Sequence, residues 1–282
     1  MNRMRKTKEK LILILKEIFC FFDWFGHFII HRKAKEYTNK NEKIILIGNG
    51  PSAKDFLLQN ECKGYKYCCV NYFALDEDLF QLVKPNYYCI IDSMFYKKEF
   101  LEKEKKVIEL LKILEKVNWK MKIICYNGNK LPLNNKWIEY HYINENYIGG
   151  SVNKAKLYLF DHNMANCGFQ NVIVAALFYF VMSNAKKIVL TGVENNWHNE
   201  LIVDENNNVL RNDTHFYGKQ LLNLTEQGEI GKGELYKYFQ FYYLTLYEYS
   251  IIAEYAKKKG VSIFNSCQNS FIDVFEKKIE EF

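Results

Sequence analysis

Only three prolines occur in 282 residues, and there is neither a Ser/Gly-rich tract nor an internal repeat. Long linkers are therefore excluded, and the length suits one large α/β domain, or a domain with a small lid. None of the eight cysteines, at 20, 62, 68, 69, 89, 125, 167 and 267, forms a C-x-x-C pair. Several lie in apolar runs, which predicts buried free thiols in a reducing cytoplasm. The most apolar stretch, residues 11–30, is interrupted by Lys16, Glu17 and Asp23. It falls short of the ~20 nearly uncharged residues a spanning helix needs, and no small-residue cleavage site marks a signal peptide. A broad basic surface is missing too. Residues 1–40 hold ten Lys/Arg against four Asp/Glu, a surplus of six that equals the whole formal charge of +6. The other 242 residues balance at 29 against 29, which excludes the basic face of a nucleic-acid binder.

Against these absences stands the stretch Lys43-Ile-Ile-Leu-Ile-Gly-Asn-Gly-Pro-Ser52. An apolar, β-branched run enters a Gly-Asn-Gly turn, and Pro51-Ser52 opens a helix. Such a turn leaves backbone N–H groups at a helix N-terminus, where the dipole favours negative charge, and so predicts a phosphate or nucleotide site. No Gly-Lys-Ser/Thr follows, so the turn is not a Walker loop, and the third glycine of the dinucleotide fingerprint is missing. No Asp-x-Asp metal motif stands in a convincing loop.

Further strands are expected at Tyr65–Val70, Asn86–Ile91, Met121–Tyr126, Lys187–Thr191 (counted as the fifth) and Val261–Phe264. Helices are expected at Lys97–Val117, Phe169–Met182 and Glu234–Lys259, the last stopped by Gly260. This alternation predicts a single Rossmann-like domain, residues 41–282, with a mostly parallel sheet covered on both sides. Ligands of such sheets bind beyond the carboxyl ends of the strands, where Asn49, Asn71, Asp92 and Gly192–Glu194 fall. Residues Ile202–Leu210 read as a hairpin in a lid excursion over about 195–218. Asp204, Asn206 and Asn208 there lack the central Gly and terminal Glu of a calcium loop.

Residues 1–40 read as a separate basic, apolar segment. An amphipathic helix lying in the plane of an anionic membrane surface fits the basic clusters flanking residues 11–30. The competing expectation is a helix packed on the domain or in a homo-oligomer. The membrane reading predicts that removal of residues 1–35 leaves a folded domain.

Gly48-Asn49-Gly50-Pro51-Ser52 resembles the opening motif of the bacterial lipooligosaccharide sialyltransferases, glycosyltransferase family 42, within the wider GT-A-type nucleotide-binding superfamily. Val70-Asn71-Tyr72-Phe73 is similar to the family's Cys-Asn-Gln-Phe element. Cys167-Gly168, a small-residue helix and Leu190-Thr191-Gly192-Val193-Glu194 are similar to its Ser-Gly, helix and Leu-Ser-Gly-Ile-Asp. Asp213-Thr214-His215-Phe216-Tyr217-Gly218 stands beside its Ser-His-Tyr-Ile-Gly-His, and Asn269-Ser270-Phe271 beside Pro-Asn-Ser. The fragments keep their order over residues 43–275. Flagellin-modifying proteins carry a related glycine element.

The resemblance implies inverting transfer of sialic acid, or a related nonulosonate, from a CMP-activated donor to a surface-glycan or glycolipid acceptor. It implies no metal and no cofactor beyond the donor itself, at the cytoplasmic face of the inner membrane. By the same resemblance Asn49 and Asn71 bind the nucleotide and the catalytic histidine falls in the segment holding His215, which is the expected base because an imidazole suits proton transfer at neutral pH whereas a lysine must first be desolvated. An ungapped match instead pairs Lys219 with the family's catalytic histidine. In a helix, His215 and Lys219 would share a face. Asp92 replaces an asparagine and Cys167 a serine. Asn195, Asn196, Trp197 and His198 stand where the family has leaving-group tyrosines, and Tyr217 is the substitute. The rival readings are a pyrophosphokinase-like enzyme dependent on ATP and magnesium, and a nucleotide-binding module without turnover.

Overall fold

The computed structural model describes residues 12, 14–26, 35–215 and 218–278, with the backbone alone at 213–215 and 218–220. The first helix among the described residues is α1 (residues 14–26). Strand β1 (Lys43–Ile47) leads into α2 (Ser52–Gln59), and β2 (Tyr65–Val70) into α3 (Glu77–Val83). After β3 (Tyr87–Cys89) come α4 (Lys98–Lys103) and α5 (Lys105–Glu115), then β4 (Met121–Tyr126) and β5 (Ile138–Ile143). Helices α6 (Lys154–Asp161) and α7 (Val172–Met182) precede β6 (Lys187–Thr191). A three-stranded excursion, β7 (Leu201–Val203), β8 (Val209–His215) and β9 (Gly218–Asn223), is followed by α8 (Leu235–Lys259), β10 (Ser262–Asn265) and β11 (Glu276–Lys277).

Eight strands form one sheet in the order β11-β10-β6-β1-β2-β3-β4-β5, and every pairing in it is parallel. Successive side chains of a strand face opposite sides, so a buried parallel strand needs apolar residues throughout. In β1, Ile44 and Leu46 enter the core under α7 and α8, whereas Ile45 and Ile47 enter the core under α2, α3 and α5. All eleven residues of α7 are buried. From β1 the chain progresses outward through β2 to β5; β6 returns to β1's other side. The direction of winding therefore reverses between β1 and β6, and a crevice opens there at the strands' carboxyl ends.

Five expectations need correction. The helix expected over 97–117 is two helices: Glu104 is extended (ψ 109°) and its side chain accepts from Lys106 N–H, a start signal inside a run of helix formers. Strand β5 was not expected; its Ile-Glu-Tyr-His-Tyr-Ile sequence lacks a continuous apolar run because it is an edge strand paired only with β4. Lys187–Thr191 is consequently the sixth strand. The excursion extends past residue 218 to Asn223 as an antiparallel sheet. The segment holding His215 and Lys219 is a hairpin, not a helix: His215 pairs with Gly218 and Thr214 with Lys219. The two candidate bases thus stand on successive rungs, which belong to opposite faces of a sheet.

Helix α1 is docked. Trp24 is 4% exposed, joins the core under α7 and α8, and donates its indole N–H to Met164 O at 3.2 Å. Glu17 accepts from Ser151 N–H and pairs at 3.5 Å with the buried Lys156 ammonium. The boundary expected at residue 40 therefore separates α1 from residues it packs on. The basic residues at 3–10, together with His27, His31, Arg32 and Lys33, lie outside the described residues. No helix among the described residues is long and apolar enough to cross a membrane. All eight cysteines are free, and all but Cys20 are buried.

Candidate active site

A cavity of about 290 Å³ occupies the crevice between β1 and β6. Gly48, Asn49, Gly50 and Pro51 line it from the end of β1, Asn71 from β2, and Asp92 from β3. Gly192, Glu194, Asn195, Asn196, Trp197 and Glu200 line it from β6 and the turn beyond, and Gln170, Asn171, Val172 and Ile173 from the start of α7.

The glycines serve close approach between two turns. Gly48 N–H donates to Thr191 O at 2.8 Å and Gly50 N–H to Gly192 O at 2.9 Å, continuing the β1–β6 ladder into the loops. A Cβ on Gly50 would lie 1.6 Å from Glu194 Oε2 and 2.7 Å from Gly192 O. Gly192 itself has φ +64°, and its Cβ would lie 2.6 Å from that of Ala53. Glu194 Oε1 accepts from Ser52 N–H at 2.9 Å, so the chain's own carboxylate holds the N-terminus of α2. This corrects the expectation that the turn offers α2's N-terminus to a phosphate: that positive end is already met by Glu194. Glu194 Oε2 is buried without a hydrogen-bond partner.

The helix start left facing the cavity is that of α7. Asn171 caps it, its Oδ1 accepting from Ile173 N–H at 2.8 Å. Gln170 is anchored from behind, its N–H donating to Glu248 Oε2 at 2.9 Å. On the opposite wall Asn71 takes a left-handed conformation (φ 45°) and donates its amide Nδ2 to Asp92 Oδ2 at 2.9 Å. Asn71 Oδ1 is buried without a partner. Tyr88 Oη holds this turn by donating to Asn71 O at 2.7 Å and accepting from Ala74 N–H at 3.0 Å. Desolvation holds the Asp92 carboxyl above the ordinary range, and the Asn71 amide opposes the shift. Asn195, also left-handed (φ 52°), has both amide heavy atoms buried without partners, while its backbone O accepts from Tyr242 Oη of α8.

The described lining is thus rich in carboxamides, carries Asp92, Glu194 and Glu200, and includes no Lys or Arg. Among the described residues no group of three or more His, Cys, Asp or Glu is placed to hold a metal ion.

Of the residues singled out from sequence, Gly48, Asn49, Gly50, Pro51, Asn71, Asp92, Gly192, Val193, Glu194, Asn195, Asn196 and Trp197 meet in this cavity. Ser52 sits behind it, its hydroxyl donating to Cys267 Sγ. Ser270 also supports the wall from outside, donating to Val193 O at 2.8 Å, and Asn269 is exposed beyond it. Cys167 is buried in the core, and burial pushes its thiol well up. Gly168 packs against Glu248 and Tyr147, so neither residue of this pair lines the cavity. His215 ends β8 and Lys219 lies in β9; Tyr217 lies outside the described residues. Sequence reasoning missed Gln170, Asn171 and Glu200. An Asn directly before an eleven-residue apolar helix is a capping signal that locates Asn171.

No protein-family model matches the chain, and no curated protein sequence matches it. Among solved structures the chain is similar to the Campylobacter jejuni sialyltransferase CstII in complex with the substrate analogue CMP-3FNeuAc. Identity is 15%, coverage is 85% of this chain and 87% of that one, and the TM-score is 0.43. It is similar to the monofunctional α-2,3-sialyltransferase Cst-I of C. jejuni at 12% identity, with 87% and 83% covered and a TM-score of 0.45. An apo α-2,3-sialyltransferase of C. jejuni matches at 16% identity, with 88% and 84% covered and a TM-score of 0.44.

Proposed function

We propose that the chain is a glycosyltransferase that moves sialic acid or a related nonulosonate from a CMP-activated donor to a surface-glycan or glycolipid acceptor. The observation that carries this reading is the meeting, in one cavity at the sheet's switch point, of residues singled out in four separate sequence fragments. In this reading the amides of Asn49 and Asn71 hold the nucleotide. The start of α7 and the Asn195 amide face the leaving phosphate, supplying dipoles where charge develops. His215 removes the acceptor hydroxyl's proton as the donor's glycosidic bond to CMP breaks, and the anomeric centre inverts. The reaction proceeds without a metal ion. Residues 1–40 attach the enzyme to an anionic membrane surface on the cytoplasmic side.

A thermal-shift panel of CMP, CDP, UDP, GDP and ATP, each with and without magnesium, tests this. Ligands that bind the native state raise Tm by mass action. Stabilisation by CMP in the absence of divalent metal is expected. A shift confined to ATP with magnesium favours the pyrophosphokinase-like reading instead, and one confined to UDP or GDP with metal rejects the donor class.

A further inference from the structure

Helix α8 has two dissimilar sides. Inward, Tyr242 and Glu248 brace the cavity wall through Asn195 O and Gln170 N–H. Outward, Tyr236, Phe239, Tyr243 and Tyr247 follow one another at spacings of three, four and four residues, which places them in one stripe along three turns. Each is between 37% and 64% exposed. From Leu235 to Tyr247 the only charged residue is Lys237. Contiguous exposed apolar surface of this kind marks an interaction site.

Helix α1 is a neighbour of this part of α8. Glu17, Cys20 and Trp24 of α1 face the domain, and Tyr247 of α8 is an electrostatic neighbour of both Glu17 and Cys20. Half-exposed Tyr147 is an electrostatic neighbour of both Cys20 and Tyr247, and its hydroxyl and the Cys20 thiol both lie close to Gly149. On its outward side α1 exposes Leu15, Phe19 and Phe22, between 57% and 74% accessible. Exposed large apolar side chains therefore stand on two neighbouring helices from distant parts of the chain.

We infer that this joint face seats on an anionic lipid bilayer, with the α8 stripe as a membrane-contacting element in its own right beside α1. Charge selects the occupant. The sequence next to α1 carries Arg3, Arg5, Lys6, Lys8 and Lys10 before it, and the net surplus of six positive charges lies within residues 1–40. A second copy docked on this face brings like charges together; anionic headgroups complement them. Tyrosine suits the boundary, with an apolar ring and a hydroxyl that stays wet. Where the transferase reading holds, the helix that touches the bilayer is also the one that braces the donor cavity, so a lipid-linked acceptor is met at its rim.

The test is sedimentation of the full chain with phosphatidylcholine vesicles, with and without phosphatidylglycerol. The double variant Phe239→Ser/Tyr243→Ser is expected to lose about tenfold in affinity for the anionic vesicles, with CMP stabilisation and circular dichroism unchanged. Unchanged vesicle binding in this variant, alongside loss in Phe19→Ser/Phe22→Ser, overturns the role of α8 and leaves α1 as the sole anchor. A wild type that is dimeric, a double variant that is monomeric and equal vesicle binding by both overturn the inference in favour of contact between copies. If the double variant does not fold, Tyr243→Cys carrying a polarity-sensitive dye replaces it: a blue shift on adding anionic vesicles supports the inference, and none overturns it. Absence of CMP stabilisation in the wild type sinks the donor assignment without touching the surface.

Discussion

Glu194 Oε1 accepts a hydrogen bond from Ser52 N–H at 2.9 Å, across 142 residues of sequence, and so ties the turn after β6 to the start of α2. The other oxygen of that carboxylate fills the space a side chain on Gly50 would need. Glu194→Ala is expected to cost about 1–2 kcal/mol through loss of the capping carboxylate. Gly50→Ala costs more in the wild type than in the Glu194→Ala background, because part of its clash is with the carboxylate. A double-mutant cycle by urea unfolding measures the coupling, and additive effects refute the steric argument.

His215→Ala is expected to lower transfer on the order of 10²–10⁴-fold while the CMP-induced Tm shift stays intact. Lys219→Ala is the decisive control, since hairpin register sets the two residues on opposite faces. A dead Lys219→Ala beside an active His215→Ala assigns the base to Lys219.

The sequence-based expectation that residues 1–35 can be removed cleanly is revised by Trp24 and Glu17. Truncation uncovers the apolar site of Trp24 and leaves the Lys156 ammonium, whose pKa burial already lowers, without its carboxylate. Trp24→Ala alone is expected to cost about 3–5 kcal/mol. A truncated chain with wild-type Tm contradicts this.

Burial raises the Glu248 carboxyl from its ordinary 4.5 to about 7, opposed by the Gln170 N–H. The folded protein then binds this proton more tightly than the unfolded chain. The contribution to stability is fully present below about pH 4.5, declines as pH rises through about 7, and levels off above that. The span amounts to about 3 kcal/mol. Glu248→Gln keeps an acceptor for Gln170 and has no charge to bury, so its unfolding free energy should vary less with pH across this window. A slope equal to the wild type's places the titration elsewhere.

Sequence by itself determined the elements whose burial is continuous or whose ends are chemically marked. Lys43–Ile47, Tyr65–Val70, Met121–Tyr126 and Lys187–Thr191 are strands as their apolar runs require, and α8 stops at Gly260, which takes φ +69°. Only the tertiary structure decided which strand lies beside which, that β5 joins the sheet, and that α1 is stapled through Trp24. It alone decided that Gly50 and Gly192 are needed for the meeting of two turns, and that Glu194 takes the helix end a phosphate was expected to hold. These outcomes depend on contacts between residues far apart in the chain, whereas local sequence pattern reports the burial of a segment and not the identity of the neighbour that buries it.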